Sequence, residues 1–309
     1  MNKQNPMACD LTTGICGDAG DNSGSVFEMI DLNPPVKQVD MYYVTDPICS
    51  HCWALEPVFR KFTQQYGKYL RIRTVTGGLL ANWDGFADSK NGIGKPADVA
   101  GHWQEVGEHS RMPIDGSLWL SDPIMSSYPP SRVFQVIRQQ SEELASVFLR
   151  RAREAVFAFN RNIGKDEVLI DIVNQMGLDG AAIITAANET SAQQLLEEDF
   201  ALASSLGARG FPTILFVNEQ KQALRIVGAQ SLEHYVSALE QILGEKLQAA
   251  PTTPLATVLQ QEKLLFAKEI EVLYDQSEDR IESYADALLT NVPHQKQQVL
   301  GETYYQLTE

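Results

Sequence analysis

The chain of 309 residues has only four cysteines, and no apolar run in it approaches the roughly 20 residues of a membrane-spanning helix. Four cysteines are too few for a secreted scaffold held by disulfides, and a chain of this length does not need one. The first 25 residues are polar and glycine-rich, without the basic start and apolar stretch of a secretory signal. The sequence therefore predicts a cytoplasmic protein with no membrane partner.

Positive charge is also scarce. Lys and Arg number 25 against 40 Asp and Glu, which gives a formal net charge of −15. A negative field repels phosphate backbones and anionic membrane surfaces. The composition therefore argues against a nucleic acid partner and is compatible with a basic protein partner.

Hydrophobic patterns divide the chain into four parts. Residues 1–37 read as a flexible tail that carries a cysteine pair, and residues 81–206 as a mainly helical insertion. The insertion separates two halves of a β-α-β…β-β-α domain, residues 38–80 and 207–245. Residues 255–309 are helix-prone and predict a helical C-terminal extension.

The first half of this domain predicts a parallel strand–helix–strand unit. Strands over 39–44 and 70–75 flank a helix over 49–66, and Pro57 should kink that helix. After the insertion, a hairpin and a final helix complete the domain; they are predicted over 213–217, 223–227 and 231–243.

The start of the first helix carries Cys49-Ser50-His51-Cys52. Two cysteines on one helical turn can form a small disulfide ring or stand as a dithiol. Unpartnered N–H groups at a helix start favour a thiolate, and a protonated His51 would add positive charge. We therefore predict that Cys49 is an exposed nucleophile of lowered pKa and that Cys52 is the resolving thiol. The alternatives are half of a zinc site, which lacks two further ligands at suitable spacing, or an inert remnant.

A second candidate site element, Phe211-Pro212, stands just before the third strand. In the predicted topology this position faces the Cys49–Cys52 turn. A cis-proline here would present the Phe211 backbone to a substrate peptide. An ordinary trans proline that opens a strand is the alternative, because only about 5–6% of X–Pro bonds are cis.

Together these features resemble the DsbA-like branch of the thioredoxin superfamily over residues 38–245. The run Asp46-Pro47-Ile48-Cys49-Ser50-His51-Cys52-Trp53, with Leu118–Pro130, is most similar to a cytosolic subgroup of that branch. The subgroup contains FrnE-like proteins and YjbH/SpxH-type adaptors, which present the regulator Spx to the ClpXP protease. The resemblance implies an α/β thioredoxin fold, a cis Pro212, Cys49 as nucleophile and Cys52 as resolving cysteine.

Two further groups of residues stay open at this point. Cys9 and Cys16 are either a shuttle disulfide that feeds Cys49, a metal pair, or two thiols in a mobile tail. Adaptors of this type carry a His/Cys-rich N-terminus that can hold zinc, but no histidine precedes His51 here, so no metal site is predicted. Trp53 either borders a substrate groove or belongs to the core.

The leading hypothesis is an intracellular thiol–disulfide oxidoreductase that uses Cys49, Cys52 and His51 and needs no cofactor. Phe211, Pro212 and Trp53 would contact its substrates, which are protein thiols or disulfides, with glutathione as a further candidate partner. The alternative is an adaptor that delivers a client such as Spx to ClpXP, with a regulatory or vestigial dithiol. A glutathione-dependent transferase or isomerase is disfavoured, because such proteins generally keep Ser at the active position.

Overall fold

The computed structural model describes residues 9–10, 15–16, 36–89 and 91–308. The chain divides into two compact units, Met1–Val36 and Lys37–Glu309. In the first unit, β1 (Cys9–Asp10) pairs antiparallel with β2 (Ile15–Cys16), and the Cys9 backbone lies opposite that of Cys16. This pairing was not predicted from the sequence. Apart from Val36 and Lys37, the rest of the predicted tail lies outside the described residues.

The second unit is built on a four-stranded sheet in the order β4-β3-β5-β6. These strands are β3 (Val39–Thr45), β4 (Leu70–Thr76), β5 (Thr213–Val217) and β6 (Ala223–Val227). β3 runs parallel to β4 and antiparallel to β5, which in turn pairs antiparallel with β6. A right-handed crossover through a helix is the usual way to join parallel neighbours. The sheet confirms the predicted α/β thioredoxin fold.

The crossover helix is interrupted where the sequence predicts a kink. It consists of α1 (Ser50–Ala54) and α2 (Glu56–Tyr66), with Leu55 between them. Pro57 has no N–H to donate to the preceding turn, so the hydrogen-bond ladder cannot continue unbroken. α2 and α10 (Leu232–Leu243) cover one face of the sheet. The break separates α2 from α1, which follows the C-terminal end of β3 and has Cys49 at its N-cap and Cys52 in its first turn.

The insertion between β4 and β5 is helical. It contains α3 (Val99–Ser110), α4 (Leu118–Ser121), α5 (Tyr128–Arg138), α6 (Glu142–Arg153), α7 (Asp166–Gln175), α8 (Gly180–Ala187) and α9 (Thr190–Ser205). A π-helical turn, Glu154–Ala158, follows α6 directly. α3 lies within residues 81–206, which the sequence predicts as a mainly helical insertion.

A buried carboxylate fastens the insertion to the sheet. Asp199 of α9 is fully buried and accepts hydrogen bonds from the Thr76 N–H at 2.8 Å and from Arg138 at 2.9 Å. Gln135 donates to the same carboxylate at 2.7 Å. A buried charge is tolerated when it is paired and hydrogen-bonded in this way. Asp199 therefore joins α5, α9 and the end of β4.

The C-terminal extension is only partly helical. Its elements are α11 (Leu255–Glu262), β7 (Leu264–Phe266), α12 (Ala267–Tyr274), α13 (Ile281–Leu288), β8 (His294–Val299) and β9 (Glu302–Leu307). The three strands form an antiparallel sheet in the order β7-β9-β8. The sequence predicted helices in this extension, and the three strands were not predicted. β8 is polar and mostly exposed, so its residues show no apolar alternation that would reveal a strand.

Within the part of the chain that the structure describes, no helix combines the length and apolar character needed to cross a bilayer.

Candidate active site

Cys49 occupies the N-cap position of α1. Its backbone is extended, with φ −78° and ψ 107°, and its Sγ accepts the backbone N–H of Cys52 at 3.3 Å. The Cys49 N–H in turn donates to the carbonyl of Asp46 at 3.2 Å. A cap of this kind satisfies one of the N–H groups that a helix start leaves free. The tight Asp46–Cys49 turn thus places the first sulfur at the helix N-terminus, as predicted.

Cys49 is less accessible than predicted. Cys49 is 5% exposed and Cys52 is fully buried, and both are free thiols. Burial raises the pKa of Cys49 well above its usual value, and the S–H donated to Cys52 adds to the rise. An exposed Cys49 of lowered pKa is therefore the wrong description of this reduced form.

The lower pKa belongs to the other cysteine. Burial opposes a charge on Cys52, but the S–H of Cys49, the positive charge of Arg153 and the hydroxyl of Thr45 together lower its pKa. Because the two sulfurs share a hydrogen bond, they titrate as a pair. The first negative charge of the pair therefore rests mainly on Cys52.

His51 does not supply the positive charge expected of it. Loss of hydration lowers its pKa, and the charges of His102 and His109 lower it further. The rings of His51 and His102 lie 5.5 Å apart, edge to face. A histidine whose pKa falls below its ordinary value of 6.5 is mainly neutral at pH 7. At neutral pH, therefore, His51 lies beside the dithiol as a neutral ring.

The positive charge comes instead from Arg153, which the sequence analysis missed. Its side chain is 2% exposed and lies under the dithiol, where Nη2 donates to Thr45 Oγ1 and, at 3.3 Å, to the carbonyl of Asp46. Burial opposes its charge, but Tyr43, Cys52 and Glu56 raise its pKa, so it stays protonated. Arg153 comes 108 residues after Thr45, and no local pattern marks it as a partner of the cysteines.

A second buried group, the Asp46 carboxylate, organises the loops around the dithiol. It accepts the N–H of Ile48 at 3.0 Å, the N–H of Leu79 at 2.8 Å and the hydroxyl of Ser127 at 2.9 Å. Burial raises its pKa to about 6, although these hydrogen bonds oppose the rise. Asp46 thus joins the cysteine turn to the loop after β4 and to the start of α5.

A cavity of about 540 Å³ opens beside Cys49. Aromatic side chains form much of its wall, and its polar lining includes the following residues among others: Cys49, Ser50, His51, His102 and Arg209. Cys52 does not line the cavity. Cys49 is therefore the sulfur that a molecule in this cavity can reach.

The Phe211-Pro212 loop lies at the same cavity. Phe211 lines it, and the Phe211–Pro212 peptide bond is cis. The Pro212 carbonyl accepts the N–H of Gly228 at 2.8 Å. Gly77 makes room for the Phe211 ring, because a Cβ at Gly77 would lie 1.9 Å from its Cε1 atom. The fold thus brings the residues predicted from two distant segments, Cys49 and Phe211, to one surface.

Trp53 has a different place from the one predicted. It is fully buried, its Nε1 donates to the Pro113 carbonyl at 2.9 Å, and its ring packs against Phe157 and Phe266. Trp53 is thus a core residue that a substrate cannot contact. Another tryptophan, Trp83, does line the cavity beside Cys49.

Among the described residues, no group of three or more His, Cys, Asp or Glu side chains could hold a metal ion. The Cys9–Cys16 pair is described only through the backbone pairing of its two short strands.

Comparison with known proteins places the chain in a family. The thioredoxin family model matches residues 42–237, which include both cysteines and the cis-proline loop. The chain belongs to the thioredoxin family.

Curated relatives extend the likeness to nearly the whole chain. The ClpXP adapter protein SpxH of Halalkalibacterium halodurans is 29% identical over 291 residues, which cover 93% of this chain and 92% of that protein. The ClpXP adapter protein SpxH of Bacillus subtilis is 28% identical over 252 residues, covering 80% and 82% of the two chains.

Solved structures share the fold. A candidate protein disulfide isomerase from Nitrosomonas europaea superposes with a TM-score of 0.55 at 20% identity, and the match covers 73% of this chain and 99% of that chain. The cytosolic disulfide reductase DsbM from Pseudomonas aeruginosa gives a TM-score of 0.50 at 19% identity, and the match covers 66% of this chain and 95% of that chain.

Proposed function

We propose that this protein is an adaptor that delivers a protein client to the ClpXP protease. The observation that carries the proposal is the extent of the likeness. The SpxH protein of Halalkalibacterium halodurans matches 93% of this chain. The disulfide isomerase structure is matched over 99% of its own length but covers only 73% of this chain. The adaptor relatives therefore account for a part of the chain that the oxidoreductase fold does not use.

The fastening of the C-terminal extension supports the same proposal. Glu269 of α12 is fully buried and pairs with Arg150 of α6 at 2.7 Å and with Arg60 of α2 at 3.4 Å. These pairs hold the extension and the thioredoxin fold together. A rigid pair of modules is suited to present one client to a large partner, because little conformational freedom is lost on binding. The net charge of −15 favours a client with a basic surface.

The test is reconstitution with purified ClpXP and an Spx client. We expect the intact protein to shorten the client half-life at least fivefold, with ATP required. A control uses another ClpXP substrate, whose half-life should not change. If the client is degraded at the same rate with and without this protein, and does not bind it, the adaptor proposal fails.

A second activity, thiol–disulfide exchange, is favoured by the geometry of the dithiol. Cys49 borders the cavity beside Phe211, while Cys52 lies behind it. Cys49 would attack a client disulfide while its proton passes to the Cys52 thiolate; the client S–S bond breaks, a mixed disulfide with Cys49 forms, and one client sulfur leaves as a thiolate. Cys52 would then lose that proton to solvent, attack Cys49 and release the client as a thiol. Two electrons pass from the dithiol to the client, and glutathione is the proposed small-thiol partner that returns them.

A trapping experiment tests this second activity. It is carried out in the cytoplasm, where the sequence predicts the protein to lie. A Cys52→Ala variant cannot resolve the mixed disulfide, so its client should remain bound through Cys49 until a reductant is added. A Cys49→Ser/Cys52→Ser variant is the control and should trap nothing. Equal client degradation by that double variant and by the wild type would show that the adaptor activity does not need the dithiol.

A further inference from the structure

A relay of two buried donors, Arg153 and Thr45, lies beneath the dithiol. Nη2 of Arg153 donates to the Thr45 hydroxyl and, at 3.3 Å, to the Asp46 carbonyl, which also accepts the Cys49 N–H at 3.2 Å. The charge of Arg153 and the hydroxyl of Thr45 both lower the pKa of Cys52. A sulfur that is buried beside a protonated guanidinium is in a site that favours an anion.

We propose that Arg153 and Thr45 are positioning residues that stabilise the Cys52 thiolate and thereby make the Cys49–Cys52 disulfide more oxidising. The proposal rests on the thiol–disulfide exchange proposed above and adds the group that sets its equilibrium. A stabilised thiolate favours the reduced form of the dithiol. A disulfide whose reduced form is favoured is a stronger oxidant. The same stabilisation lowers the cost of deprotonating Cys52 in the resolving step.

Among the described residues, the charges around Cys52 favour Arg153 for this role. The titratable and charged groups that face Cys52 are Tyr43 and Asp46 from the end of β3, Cys49 from α1, Glu56 from α2, Arg153 from α6 and Tyr235 from α10. Of these, only Arg153 is positive. Glu56 pairs with Arg153 at 3.3 Å and therefore compensates part of the positive charge of Arg153. Arg150, one turn earlier on the same helix, pairs with Glu154 and Glu269 instead.

The local backbone explains why Arg153 stands where it does. Arg153 ends α6, and the next five residues, Glu154–Ala158, form a π-helical turn. A π-turn inside a helix changes the direction of the following side chains and is frequent at functional sites. Here the π-turn begins directly after Arg153, the residue that donates to Thr45 beneath the dithiol.

The test uses glutathione, so that it does not depend on any client. In the exchange, a thiolate of the pair attacks oxidised glutathione and expels one glutathione thiolate. The second cysteine loses its proton and attacks the mixed disulfide, which expels the other glutathione. The protein loses two electrons as its disulfide forms, and oxidised glutathione gains them. The equilibrium constant at pH 8 and the pH profile of thiol alkylation are measured for each variant.

Arg153→Met should raise the first thiol pKa by at least one unit. It should also move the glutathione equilibrium about tenfold toward the protein disulfide, which equals about 30 mV. Arg153→Lys keeps the charge and should restore most of the effect. Thr45→Val removes only the hydroxyl of the relay and should give a smaller shift of the same sign, so the test survives if Arg153→Met does not fold.

Arg150→Met is the matched control, because it removes a buried guanidinium from the same helix that does not touch the dithiol. The proposal is overturned if folded Arg153→Met or Thr45→Val keeps the wild-type pKa and equilibrium. It is equally overturned if Arg150→Met shifts both quantities as much as Arg153→Met. If the glutathione values shift as expected but no client is trapped by Cys52→Ala, the positioning role stands and the proposed client exchange fails.

Discussion

Arg150 of α6 donates a hydrogen bond to Glu269 of α12 across 2.7 Å, with both side chains buried. The pair joins the helical insertion to the C-terminal extension. Glu269 also accepts the N–H of Phe266 at 3.0 Å, which caps the start of α12. One carboxylate therefore holds both the orientation of the extension and the first turn of its own helix.

Glu269→Ala should destabilise the protein strongly, because it removes one of the two carboxylates that pair with the buried guanidinium of Arg150, and this carboxylate also pairs with Arg60. Removing one member of a buried pair costs about 3 kcal/mol or more. Trp53 packs against Phe266, so tryptophan fluorescence during urea unfolding reports on this contact.

Glu282→Ala is the control for this change. It removes an exposed pair with Lys296 and should have little effect. Equal stability of the two variants would contradict a structural role for Glu269.

Stability should depend on pH through Asp46. Its pKa is raised from 3.8 to about 6, first by burial. Between these pH values the folded protein keeps a proton that the unfolded chain has lost, so the free energy of unfolding falls as the pH rises. The loss of folding stability is complete above about pH 7. It amounts to about 3 kcal/mol for a pKa difference of about two between the folded and unfolded states.

Asp46→Asn removes this titration. Denaturation at pH values from 4 to 8 should show the stability of the wild type falling relative to that of the variant. Ser127→Ala removes a hydrogen bond to the carboxylate and should move the transition to higher pH. Parallel pH profiles for wild type and Asp46→Asn would refute the assignment.

Gly77→Ala should displace the Phe211 ring, since the new Cβ would lie 1.9 Å from Cε1. Overpacking of this kind costs about 1–3 kcal/mol. Because Phe211 lines the cavity beside Cys49, the rate of disulfide exchange should fall as well. Gly101→Ala, on α3, meets no atom within 4 Å and serves as the control. The expectation fails if both variants match the wild type in exchange rate and thermal stability.

His51→Gln should leave the reactivity of the dithiol above pH 7 within about twofold of the wild type. The reason is the lowered pKa of His51, which leaves the ring mainly neutral there. Alkylation rates measured from pH 5 to 9 check this. A shift of the thiol pKa by a full unit would mean that the histidine is protonated and stabilises the thiolate directly.

Much of the fold followed from local patterns. The patterns of β3 and β4, the proline after α1 and the paired cysteines each extend over a few residues, so the sequence predicts them well. The strands of the C-terminal extension were missed for the same reason. β8 is polar on both faces, and only its pairing with β9 makes it a strand.

The sequence by itself determined the Cys49–Cys52 pair, its place at a helix start and the proline loop that faces it. Only the tertiary structure decided which charge acts on the pair. The local candidate, His51, is neutralised by its surroundings, whereas Arg153 is carried under Cys52 by a helix that is distant in sequence. Electrostatic effects depend on burial and on distance in space, and neither quantity can be read from spacing along the chain.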